Sequence, residues 1–145
     1  ARDSIAAYIA DARTSGRVLK EMASPQGGTF IGPTVIRVGG IQDMPREIFG
    51  PVLCVQTFGD GDLDVVAREA NSTIYGLSGS VWTRDLGTAM LMVRKIDSGQ
   101  VSVNMHAAID PAMPFGGNKQ SGWGREFGKD GLEPYLKTKG ISMTW

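Results

Sequence analysis

The chain has 145 residues, in which 15 lysines and arginines balance 15 aspartates and glutamates for a formal net charge of zero. That length suits one domain with a core of its own, and the even charge without a basic cluster argues against nucleic acid or anionic lipid as partner. No apolar run approaches the roughly 20 residues that span a bilayer, and the single cysteine, Cys54, permits no internal disulfide, which fits a soluble protein of the cytoplasm.

Ile5, Tyr8, Ile9 and Ala12 recur at helical spacing ahead of Gly16, so residues 3 to 15 read as an amphipathic helix with Asp3 as its N-cap. Val18 to Met22, Phe30 to Ile31 and Val35 to Val38 read as strands divided by glycine and proline. Pro51 to Phe58 is a nearly continuous apolar run, as expected of a strand covered on both faces. Leu63, Val66, Ala67 and Ala70 form the next helical stripe, and Ser78 to Thr83 a strand. Asp85 then caps a helix with Leu86, Ala89, Met90, Val93 and Ile96 inward and Gly99 closing it, before a strand over Gln100 to Asn104. This alternation predicts parallel pairing and a layered α/β fold. Beyond it, Trp123 to Lys129 and Leu132 to Leu136 read as one interrupted helix and Gly140 to Trp145 as a terminal strand.

The run PFGGNKQSGWGRE, Pro114 to Glu126, places four glycines in nine residues, a density that builds irregular backbone and brings main chain close to a neighbour. It follows a β-rich segment, where α/β proteins place their sites. The run resembles the C-terminal signature of the aldehyde dehydrogenase superfamily, P-F-G-G-x-K-x-S-G-x-G-R-E. A second segment, REIFGPV at Arg46 to Val52, is similar to that family's E-E-I-F-G-P-V. The resemblance runs the length of the chain and covers the last third of a full-length enzyme. The loop wording GGNKQSGWGREFG resembles members acting on arylacetaldehydes, such as phenylacetaldehyde dehydrogenases, with aminoaldehyde and betaine-aldehyde members behind.

Taken alone, Glu47 reads as a solvated or ion-paired carboxylate. The resemblance implies instead that Glu47 accepts hydrogen bonds from the nicotinamide-ribose hydroxyls of NAD or NADP, with Phe49 packed beside the cofactor; a carboxylate can accept both hydroxyls at once. It likewise implies that Phe115 walls the aldehyde tunnel and that Ala108 and Ile109 set substrate size, while Asn104, Gly116 and Gly117 shape the loop. The organisation it implies is the C-terminal part of a catalytic domain over 1–122, a helical segment over 123–139, and a subunit-bridging strand over 140–145 of a homodimer or homotetramer. The catalytic cysteine, the general-base glutamate, the oxyanion amide and the Rossmann domain are expected upstream. No residue of this chain is then catalytic, and the 145 residues alone are expected to be inactive.

Cys54, in VLCVQ, has no neighbouring base or cation to lower its pKa and reads as a structural thiol. His106 lacks a zinc spacing. Asp60, Asp62 and Asp64 imitate the start of a calcium loop, but Val65 and Asn71 replace its glycine and closing glutamate, so these are read as charges at a helix start and no metal is expected. G-x-G-x-x-G and P-loop spacings are missing. Two other function classes stand beside the enzyme: a non-catalytic, self-associating α/β module, and a small thiol hydrolase using Cys54 and His106.

Overall fold

A computed structural model of the protein describes residues 1–44, 46–59, 61–106 and 109–145. The fold is mixed α/β, and where composition suggested one domain the chain divides into two compact units, Ala1–Asp62 and Leu63–Trp145. Among the described residues no helix is long and apolar enough to cross a membrane.

In the first unit, α1 (Arg2–Thr14) packs on a three-stranded sheet ordered β1 (Val18–Glu21), β2 (Thr34–Arg37), β3 (Val52–Val55). The helix forms as its spacing predicts: Ile5, Ile9 and Ala12 are buried against Ile36 and Val38, and each isoleucine contributes about 1.5–3 kcal/mol by leaving water. Its start differs, with Ala1 at the cap position and Asp3 inside the first turn, where it meets the helix dipole. Its end is as expected, for Gly16 has a φ of 68°, a left-handed value that glycine adopts cheaply. β2 and β3 run parallel and β1 antiparallel to β2.

Two further expectations fail in this unit. Phe30 and Ile31 form no strand; a side chain on Gly32 would stand 1.9 Å from the Met22 carbonyl oxygen, so the two chain segments pinch together where a ladder would need strand spacing. Nor is β3 covered on both faces. It is the sheet's edge strand, and its side chains alternate, Cys54 facing the core under α1 while Leu53 is 60% exposed. The apolar run marked a strand correctly, but among the described residues of this unit none covers its second face.

The second unit holds α2 (Leu63–Asn71), β4 (Tyr75–Gly76), β5 (Ser78–Val81), α3 (Leu86–Lys95), β6 (Gln100–Val103) and β7 (Asn118–Lys119). β5 and β6 pair in parallel across α3, as the alternation predicts. Ala67, Val81 and Met92 form its core, with Leu63, Val66, Ile96 and Val101 packed around them. Asp85 caps α3 by accepting the Thr88 N–H at 2.6 Å, a bond that holds its carboxyl below the usual carboxylate range. The inward face of α3 is shifted from that expected: Ala89 and Met92 are buried, whereas Leu86 and Met90 are exposed. Successive residues turn by about 100°, so a face centred on Ala89, Met92 and Ile96 leaves Met90 a quarter-turn away.

The helix expected over Trp123 to Lys129 is absent, and the segment after it forms only a 3-10 turn over Asp130–Tyr135. Gly122 (φ 113°), Phe127 (φ 61°) and Gly128 (φ 55°) leave the helical region, and Pro134 lacks the N–H an α-helix would use. The strand expected over 140–145 pairs with no strand among the described residues.

Candidate functional site

The residues singled out by sequence fall into two groups, one in each unit. In the first unit the segment leading into β3 alternates its side chains. Ile48 is half-buried against the α1 core, which leaves Glu47 and Phe49 on the outside, Phe49 82% exposed. Phe49 has a φ of 53°, uncommon for a residue with a side chain. The next residue permits it: a side chain on Gly50 would come within 2.6 Å of Ile5 Cδ1, so glycine there lets α1 lie directly on the turn. Thr34 N–H then donates to Pro51 O at 2.9 Å, tying the turn to β2.

Glu47 and Phe49 thereby line one cleft of about 650 Å³, together with Ser4 and Tyr8 of α1, Arg17 and Arg46. Glu47 holds no ion pair among the described residues, so its carboxylate is free to accept. An acceptor with four lone-pair sites beside an exposed aromatic ring suits a vicinal diol, while Arg17 is already held by Asp11 at 2.6 Å. The contribution of α1 to this cleft was not read from sequence, because Ser4 and Tyr8 carry no motif.

Behind the cleft, Tyr8 hydroxyl donates to Asp43 O at 3.1 Å and lies 3.6 Å from Cys54 Sγ. Burial, reinforced by Cys54 and only partly offset by Arg17, pushes the Tyr8 hydroxyl up to about 12. A neighbour that holds its proton so firmly is no base, so this thiol sits in a packing contact and not in a nucleophile's environment. His106 is exposed and belongs to the second unit. Asp64 is paired with Lys95 at 2.7 Å at the start of α2, while Asp60 lies outside the described residues.

In the second unit Phe115 is half-buried and Ile109 is 51% exposed; Ala108 lies outside the described residues. Phe115 N–H donates to Glu126 O and Glu126 N–H to Phe115 O, both at 2.7 Å, which closes the glycine loop on itself. The glycines act by close approach: a side chain on Gly116 would stand 2.2 Å from Gly124 O, and one on Gly99 only 1.7 Å from Gly116 O. Gly99 was expected to end α3. The helix stops instead at Lys95 with an extended Ile96, and Gly99 seats the loop. Asn104, at φ 53°, clasps Thr83 in both directions at 2.9 Å and so ties the end of β6 to the segment after β5.

The Aldehyde dehydrogenase family profile matches residues 1–141. Human mitochondrial 10-formyltetrahydrofolate dehydrogenase is 41% identical over 122 residues, 81% of this chain and 13% of that protein. Among solved structures, an NAD-dependent aldehyde dehydrogenase from Sinorhizobium meliloti is similar over 99% of this chain and 29% of its own, with 32% identity and a TM-score of 0.85. An indole-3-acetaldehyde dehydrogenase in complex with NAD+ is similar over 95% and 29%, with 35% identity and a TM-score of 0.84. The chain thus spans well under a third of the length of each of these relatives.

Proposed function

This chain belongs to the aldehyde dehydrogenase family, and from that premise we propose that it supplies the C-terminal part of an enzyme oxidising an aldehyde to a carboxylic acid with NAD or NADP. The observation that carries the reading is the Glu47 carboxylate, without an ion pair among the described residues, beside the exposed Phe49 ring over one cleft. Glu47 accepts the hydroxyls of the nicotinamide ribose and Phe49 packs beside the cofactor, which when bound supplies the hydride acceptor. Phe115, Ile109 and Ala108 border the aldehyde, whose class is arylacetaldehyde, in keeping with the similarity to an indole-3-acetaldehyde dehydrogenase.

The attacking thiolate, the general base and the dinucleotide fold belong to sequence outside this stretch, where the aldehyde becomes a thiohemiacetal and then a thioester. Residues 1–122 complete the catalytic domain, 123–139 form its C-terminal segment, and 140–145 bridge subunits of a homodimer or homotetramer. The free thiol of Cys54 is in keeping with a reducing cytoplasm.

Glu47→Gln in the full-length enzyme tests the assignment. Hydride transfer should slow by roughly tenfold or more, the scale of a hydrogen bond to a charged group, while ester hydrolysis by the catalytic thiol changes less. Unaltered hydride-transfer kinetics would overturn it.

A further inference from the structure

Behind the glycine loop, one carboxylate joins three elements of the second unit. Asp97, between α3 and β6, accepts from Asn118 Nδ2 at 3.0 Å and lies 3.5 Å from Lys119 Nζ. Its own N–H donates to Asn71 Oδ1 at 2.8 Å. Asn71 ends α2, and its side chain also donates to the carbonyl of Lys95, the last residue of α3, at 2.6 Å. Lys119 Nζ completes the circuit on the carbonyls of Asn71 at 2.8 Å and Thr73 at 3.3 Å.

The circuit continues into the loop. Asn118 Oδ1 accepts from Arg125 Nη2 at 3.1 Å, and Arg125 Nη1 donates to Gly117 O at 2.7 Å and Gly124 O at 3.0 Å. Lys119 itself holds a φ of 54°, a left-handed conformation unfavourable for a residue with a side chain that persists only where its surroundings hold it. Phe115 is two residues before Gly117 and is locked to Glu126, the neighbour of Arg125, by the paired 2.7 Å bonds. Residues 117 to 125 therefore dictate where the Phe115 ring stands, and Asp97 anchors them at two consecutive side chains.

We propose that Asp97 is a positioning residue for aldehyde recognition, acting through Asn118 and Lys119 on the Phe115 loop. The inference rests on the reading of Phe115 as a wall of the aldehyde site. A single pair with one exposed partner is worth little, but here the carboxylate holds an amide and an ammonium together, and the three sites act as one network.

The test is steady-state kinetics of the full-length enzyme with NAD and a series of aldehydes of rising bulk, for Asp97→Ala, Asp97→Asn and Phe115→Ala. Asp97→Ala should raise aldehyde KM about tenfold, unequally across the series, with the KM for NAD unchanged. Asp97→Asn, which can still accept from Asn118, should recover part of the loss. Asn118→Ala removes the same bond from the loop side and should reproduce the split even if Asp97→Ala fails to fold. If Phe115→Ala shifts aldehyde preference while the Asp97 and Asn118 variants leave KM intact, or lower kcat alone and equally for every aldehyde, the positioning role is overturned. If Phe115→Ala itself leaves aldehyde preference untouched, the wall reading falls and the positioning role with it.

Discussion

At Tyr8, burial withholds water from a phenolate, Cys54 pushes in the same direction, and Arg17 offsets only part of the cost. The folded state therefore favours the neutral phenol. A group raised above its ordinary value stabilises the fold fully below that value and loses the contribution as pH climbs through the folded one. The stability of the protein should accordingly decline between pH 10 and about 12 more steeply than that of Tyr8→Phe. Denaturant unfolding of both across that window checks it, and parallel curves would contradict it. The partner thiol should be dispensable: Cys54→Ser should cost about 1 kcal/mol and leave the full-length enzyme able to form an acyl-thiol with substrate, a step that mass spectrometry of the trapped adduct follows. Glu47 shows how far a single residue could be read. Its type and motif were plain, but its outward placement follows from Ile48 packing inward against the α1 core, which no local pattern states.

Among the elements, helices and paired strands with a strong apolar period were legible, because burial of one face is written into residue order. α1, α2 and the β5–α3–β6 crossover stand where their spacing puts them. Elements that depend on backbone approach were not legible. Gly99 looked like a helix stop and is a contact, since any side chain there meets the Gly116 carbonyl at 1.7 Å. Gly99→Ala should therefore destabilise the protein by roughly 1–3 kcal/mol, the range for overpacking, whereas glycine loss at a helix end would cost less. Thermal unfolding of Gly99→Ala distinguishes these; a negligible shift would mean the loop yields freely. The two-residue pair β4 and β7 was missed for a related reason, as its four residues register through Gly76 and Asn118 without any apolar run.

For the whole molecule, several large apolar side chains of the second unit are exposed toward its end, among them Trp123 at 91%, Ile141 at 75%, Met143 at 74% and the fully exposed Trp145. Among the described residues, 140 to 145 pair with no strand, so their backbone groups are available to another strand. The purified 145-residue chain should form no NADH from an aldehyde and NAD, and should self-associate. Light scattering beside a coupled absorbance assay tests both statements. A stable monomer at high concentration would refute the second, and NADH formation the first.

Family and the chain direction of the main helices and strands were determined by residue order, because motif spacing and hydrophobic period are properties of neighbours along the chain. The cleft under α1, the glycine seat at Gly99, the bare face of β3 and the Asp97 junction were decided only in three dimensions. Each joins residues distant in sequence through one carbonyl, one carboxylate or one missing side chain, and a contact of that kind leaves no periodic trace. Asp97 is the clearest instance: nothing in the residues beside it distinguishes it from a solvated aspartate, until the fold brings Asn71, Asn118 and Lys119 to its two oxygens and its N–H.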